Sequence, residues 1–354
     1  MTDPRLTRRR LLGAALTGLA ALSATSSAAN TQTDPDLCRD DVAIDTNTAQ
    51  IFPVQAPLTP EANKKDARAV WARVLPRPDS TVLVFLHGHN NYVTVDAQGR
   101  SRVPDWAADD PQARAGAASK PAAPLIYGLN ALNARKLRKS PLVLVPEDAV
   151  LAHGSFWATE PRVQYQDPAR LGSLIADSRA HLACLHRPDG RPYLSSHAAS
   201  SALKRLYLCG HSGAGLPLQE AAGSSLALPA TGIPTDLWLF DCTYWSDVAH
   251  FAQFCVLWNG VGRLAAGRRD AARFLCVYRP QTQTEGVADV LRGQIAQALG
   301  VTPESLVKDH GPDNFDSVIR PVLQTSSVLF VRTFLAHDDI PTFYIPHLLQ
   351  TAAV

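Results

Sequence analysis

Seven short, nearly unbroken apolar runs punctuate the chain: Ala69–Val74, Thr81–Leu86, Leu142–Val145, Leu206–Cys209, Leu237–Phe240, Phe274–Tyr278 and Ser327–Thr333. A strand with one wet face alternates apolar and polar positions; these do not, so they predict strands buried on both faces. The stretches between them are long enough to hold helices. The clearest is Glu285–Leu299, where Val287, Leu291, Ile295 and Leu299 recur on one face, Thr284 is placed to cap the start and Gly300 to end it. A second crossover is expected over Asp167–Leu185. Parallel strands require such crossovers. The expected fold class is therefore α/β: a mainly parallel, doubly wound sheet with helices on both faces.

Residues 61–354 read as a single domain without internal repeats, preceded by a polar, proline-dotted arm over residues 30–60. Two segments break the strand–helix rhythm and read as long, lid-like insertions. Residues 89–140 are rich in Ala, Pro, Gly and charge, and residues 153–200 include His153-Gly154-Ser155-Phe156-Trp157 and the turn Arg187-Pro188-Asp189-Gly190. Long loops of this kind often wall a site.

The N-terminus follows a different pattern. Arg8-Arg9-Arg10 leads into an apolar run ending near Leu22, followed by the small residues Ser27-Ala28-Ala29. That layout resembles a twin-arginine export signal over residues 1–29, and the run is shorter than the roughly 20 residues that span a bilayer. The expected destination is the periplasm or the medium, with no stable membrane span after cleavage. Losing the signal would remove four of the 34 basic residues and one of the 32 acidic ones, leaving 30 against 31. A near-neutral remainder does not support nucleic-acid binding. None of the six cysteines, Cys38, Cys184, Cys209, Cys242, Cys255 and Cys276, forms a C-x-x-C pair. That excludes zinc-ribbon spacing and leaves disulfides open in an oxidising compartment. Cys209 and Cys242 end strands placed side by side, where either a bridge or two buried thiols would fit, the thiols being favoured.

Chemistry is concentrated after the strands. Gly210-His211-Ser212-Gly213-Ala214-Gly215 follows Leu206–Cys209 and precedes a helix-compatible segment. A serine on such a tight strand-to-helix turn has its hydroxyl presented at the sheet edge. Serine needs a base, an acid to orient that base and donors for the oxyanion. Asp241 directly follows Leu237–Phe240; Phe274–Tyr278 leads into Arg279-Pro280-Gln281-Thr282 with no carboxylate nearby, which favours Asp241, with Asp247 in reserve. His337 lies just past the last strand and is preferred to His347, which reads as part of a packed terminal helix; His211 is too close to Ser212 to serve as its base. His87-Gly88-His89 after Thr81–Leu86 is the candidate donor loop.

These residues together resemble the α/β-hydrolase superfamily over roughly residues 65–354. The resemblance implies Ser212, Asp241 and His337 as a triad in that chain order, with the backbone N–H groups of His89 and Gly213 as the oxyanion hole. It implies acyl transfer from a carboxylic ester, small or polymeric, with no cofactor and no metal. One departure is Ala214, where the G-x-S-x-G pattern has its last glycine. A peptidase or amidase on the same fold is an alternative. So is a metal-dependent hydrolase using His87 and His89 with ligands from Asp241, His337, Asp338 and Asp339, and so is a non-catalytic binding protein. Phe156, Trp157, Tyr244 and Trp245 are candidates to line an apolar pocket, or equally to fill the core.

Overall fold

A computed structural model describes residues 44–45, 50–53, 69–74, 78–86, 140–146, 168–184, 186, 190–215, 218, 235–244 and 274–352. Among the described residues, ten strands form one sheet: β1 (Ile44–Asp45), β2 (Gln50–Pro53), β3 (Ala69–Val74), β4 (Pro78–Leu86), β5 (Ser140–Pro146), β6 (Arg205–His211), β7 (Thr235–Phe240), β8 (Phe274–Tyr278), β9 (Val307–His310) and β10 (Val328–Thr333). Their order is β1-β2-β3-β5-β4-β6-β7-β8-β10-β9. From β5 to β9 across the sheet, all seven strands are parallel; β3, β2 and β1 extend one edge, each antiparallel to its neighbour.

Period-two side-chain geometry divides the apolar runs of β4, β5, β6, β7, β8 and β10 between two cores, which is why these runs do not alternate. On one face Val82, Val84, Leu206, Leu208, Leu237, Leu239 and Cys276 meet the helices Pro168–Cys184 and Gln283–Leu299, through Ile175, Leu182, Leu291 and Ile295. On the other, Leu83, Phe85, Tyr207, Trp238, Phe240, Val277 and Val331 meet the helices Arg320–Thr325 and Asp339–Ala352, through Leu323, Ile340, Tyr344 and Leu348. The sheet is doubly wound, with helices on both faces. Each fully buried Leu, Val or Phe contributes about 1.5–3 kcal/mol of burial, so this two-sided core is the main restraint on strand register.

Several expectations are modified. The arm over residues 30–60 contributes β1 and β2 to the sheet edge, and β9 is a further strand; all three are short, and β9 carries Lys308 and Asp309, a polar pattern typical of edges. Within the stretch read as the insertion 153–200, residues 168–184 are a crossover helix on the sheet, and Leu194 joins the same core. Residues 89–140 and 153–167 lie outside the described residues.

Thr284 does not cap the helix Gln283–Leu299. Thr282 occupies that position without a side-chain cap bond, and Thr284 is buried inside the first turn. The helix does end at Gly300, whose φ of 69° lets its N–H reach the carbonyls of Ala296 and Gln297. Cys209, Cys242 and Cys276 are buried thiols outside any disulfide, and Cys184 is disulfide-bonded. No described helix is long and apolar enough to cross a membrane.

Candidate active site

The chain runs outward in both directions from the β4–β6 pair, β5 lying on one side and β7 to β10 on the other. A sheet of this kind opens a crevice at the carboxyl ends of its strands where the order reverses. Four strand ends there carry the chemistry. β6 ends at His211, β7 is followed by Asp241, β8 by Arg279, and the turn after β10 holds His337.

Ser212 begins a 3-10 turn, Ser212–Ala214, directly after β6, with φ 55°. A left-handed serine costs roughly 1–2 kcal/mol relative to ordinary backbone. Such conformations persist where surrounding packing fixes them and cluster at functional sites. Gly210 shows how the turn is accommodated: a Cβ there would stand 3.1 Å from Leu218 Cδ2 and 3.2 Å from Ala214 Cβ. The missing side chain at Gly210 thus leaves room for the Ala214 methyl, which is fully buried. This explains how the sequence departs from G-x-S-x-G while keeping the turn.

Asp241 also has a left-handed backbone, φ 44°, with its N–H donating to the Val277 carbonyl at 2.7 Å. Asp is among the few residues that tolerate this conformation readily. Its side chain has no exposed surface, and every partner is a donor. His337 Nδ1 lies 2.7 Å from Oδ2, Arg279 Nε donates to the same oxygen at 2.6 Å, and Thr284 Oγ1 donates to Oδ1 at 2.5 Å. The Arg279 backbone N–H adds a long contact to Oδ1 at 3.4 Å. Burial alone would raise the Asp241 pKa, but the bonds from His337, Thr284 and Arg279 outweigh it and hold the group down at about 2. The carboxylate is therefore ionised at neutral pH and can only accept. That fixes the proton of neutral His337 on Nδ1 and leaves the Nε2 lone pair available as a base.

The residue before the serine supports the same loop from below. His211 is buried, and its Nε2 stands 3.0 Å from the His337 carbonyl; because a carbonyl only accepts, Nε2 carries a proton. The two imidazoles lie 4.4 Å apart, centroid to centroid. Tyr244, three residues beyond Asp241, hydrogen-bonds the Ser212 side chain; burial first, then the negative charge of Asp241, push its phenol up to about 12, so it remains a neutral hydroxyl.

The structure thus brings Asp241 and His337 into contact at the carboxyl end of the sheet where Ser212 sits. His347 lies apart: its Nδ1 donates to the Phe343 carbonyl within the helix Asp339–Ala352, and its ring stacks on Phe343 at 4.4 Å. Gly213 is buried in the turn after Ser212. His87, His89, Asp247, Phe156, Trp157 and Trp245 lie outside the described residues. The metal reading keeps little from the described ligands. Asp241 is taken up by three donors, while donor atoms of His211, His337 and Asp338 come within 4.8 Å of one another. Of these, His211 Nε2 is engaged with a carbonyl and His337 Nδ1 with Asp241.

Strand order, serine turn, and an Asp–His pair following the serine in the chain coincide at the carboxyl end of the sheet. The chain has the α/β-hydrolase fold. No family model matches it, and neither does any curated protein. Among solved structures, this chain is similar to the feruloyl esterase module from Clostridium thermocellum complexed with sinapinate, at 10% identity and TM-score 0.39, over 87% of this chain and 89% of that one. It is similar to dienelactone hydrolase from Anabaena variabilis at 14% identity and TM-score 0.34, over 86% and 94%. It is also similar to brefeldin A esterase, a bacterial homologue of human hormone-sensitive lipase, at 12% identity and TM-score 0.32, over 97% and 83%.

Sequence reasoning missed three contributors. Thr284 reads from the sequence as a cap at the helix start, whereas its hydroxyl serves Asp241. His211 was considered only as a base, whereas it supports the His337 loop. Arg279 was passed over because a carboxylate was sought at the end of β8. Its position directly after a strand adjacent to β7 was the available signal.

Proposed function

We propose that this chain is a serine hydrolase cleaving carboxylic esters in two acyl-transfer steps. The observation that supports it most is the ionised, buried Asp241 holding His337 Nδ1 at 2.7 Å, beside a serine on a left-handed turn. His337 Nε2 takes the Ser212 proton as the hydroxyl attacks the ester carbonyl. Asp241 stabilises the imidazolium that forms. The oxyanion is received by the backbone N–H groups of Gly213 and His89. His337 then returns the proton to the leaving alcohol and activates water to release the acid from Ser212. The residues in these roles need no metal or organic cofactor.

The same reading includes export through the signal over residues 1–29. A disulfide at Cys184 supports it, since structural disulfides belong to oxidising compartments. The test expresses the full chain in a bacterial host, recovers it from the periplasm or medium and reads its N-terminus. It is then assayed on p-nitrophenyl esters of graded chain length beside Ser212→Ala and His337→Ala. A start near residue 30 is expected, with turnover on at least one ester and losses of about 10³-fold or more in both variants. Folded protein that cleaves none of the esters overturns the esterase reading. Recovery only from the cytoplasm with residues 1–29 intact overturns export.

A further inference from the structure

The Asp241 carboxylate receives a cation as well as the imidazole. Arg279 Nε and His337 Nδ1 contact the same oxygen, Oδ2, at 2.6 and 2.7 Å, and the Arg279 side chain is about one-third exposed. Arg279 follows β8 directly, one strand over from Asp241, and β7 and β8 are paired up to Phe240 and Val277. The turn that carries it is itself fixed. Thr282 Oγ1 donates to the Arg279 carbonyl at 2.8 Å, Gln281 holds φ 60°, and the Gln281 N–H donates to Glu285 at 2.7 Å.

We propose that Arg279 is a positioning residue of this site: it clamps the carboxylate that orients His337 and shares its negative charge with the imidazole. The inference rests on the hydrolase reading above. Two donors on one oxygen lie within about 5 Å of each other, so a proton arriving on His337 creates a second cation facing the guanidinium. Asp241 must then divide its negative charge between them. An imidazole served by an unshared carboxylate would hold its proton to higher pH. Among the described residues, His211 from the end of β6 and Asp338 on its own turn also approach His337, and Tyr244 after β7 faces Asp241 and Arg279. None of these is altered when Arg279 is replaced, so the comparison isolates the guanidinium.

Two measurements on the mature protein test this. One is the pH profile of kcat/KM on the best p-nitrophenyl ester; the other is NMR titration of the His337 imidazole in histidine-labelled protein, assigned with His337→Gln. Arg279→Gln is expected to raise the acidic midpoint in both by roughly one pH unit, the scale of one charge at this distance under partial solvent screening. Arg279→Lys keeps the charge but not the Nε geometry. It is expected to keep the midpoint near that of the wild type while kcat falls severalfold. Arg279→Met, which retains an unbranched apolar stem, replaces the Gln variant if that one does not fold. A folded neutral variant with both midpoints unmoved overturns the proposal, even if its thermal stability drops, because that marks a purely structural arginine. If the NMR midpoint moves but no ester is cleaved by the wild type, the clamp stands and the esterase reading fails.

Discussion

At the residue scale, the site depends on a carboxylate whose buried oxygens are all taken up by donors. Thr284 is the partner whose removal is easiest to interpret. Its hydroxyl, buried and 2.5 Å from Asp241 Oδ1, also lies 2.7 Å from Thr282 Oγ1. Thr284→Val preserves shape and β-branching while leaving Oδ1 with only the 3.4 Å contact from the Arg279 backbone. An unsatisfied buried charged acceptor costs about 1–3 kcal/mol, so a fall of several degrees in Tm is expected by calorimetry. Thr284→Ser, which keeps the hydroxyl, should recover most of that loss. The serine, the acid and the base were legible from the sequence because each follows an apolar run at a strand end. Thr284 was not, because threonine before a helical stretch is locally indistinguishable from a cap. Its actual partner is 43 residues away in sequence, and local pattern carries no information at that range.

At the element scale, legibility followed burial. β3 and β8 are matched residue for residue, and the other runs differ from β4, β5, β6, β7 and β10 only at their ends; β4 to β8 and β10 are covered on both faces, and such a strand must be apolar throughout. β9 was invisible for the opposite reason: an edge strand pairs through backbone groups and leaves its side chains free to be polar, while β1 and β2, of two and four residues, are too short for a run to register. β9 and the helix Asp339–Ala352 nonetheless frame the turn that presents His337. His310, the last residue of β9, is buried against the rings of Phe315, Phe343 and Tyr344, with Nδ1 2.7 Å from the Tyr344 hydroxyl. Burial, aided by the nearby charge of His347, lowers its pKa below 6.5. A histidine with a depressed folded pKa binds its proton more readily in the unfolded chain. Its contribution to stability is therefore full above pH 6.5 and is lost as pH falls below that value. Thermal unfolding followed by circular dichroism should show the wild-type Tm falling between pH 7 and pH 5, and His310→Gln falling less. Parallel declines in the two proteins would place the acid sensitivity elsewhere.

At the scale of the whole molecule, Asp241 ties three parts of the fold together: β7 carries it, the turn after β8 supplies Arg279 and the neighbouring helix supplies Thr284, while the turn after β10 supplies His337. The stability it contributes follows from its charge. The unfolded carboxyl titrates near 3.8 and the folded one at about 2. As pH falls, the unfolded chain takes the proton first, so the contribution is complete above about pH 4 and disappears as pH drops through 2. A shift of this size corresponds to about 2 kcal/mol. Asp241→Asn is the informative replacement, because asparagine tolerates the left-handed backbone as well as aspartate does and mimics the protonated acid in shape. Chemical unfolding in urea should find the variant less stable by about 2 kcal/mol at pH 7. The gap should narrow below pH 4 and nearly close as pH 2 is approached, where the wild type also carries a neutral group. A gap that stayed constant across this range would mean that the side chain's shape, rather than its charge, joins these strand ends. The tautomer assigned to His337 would then lose its electrostatic basis.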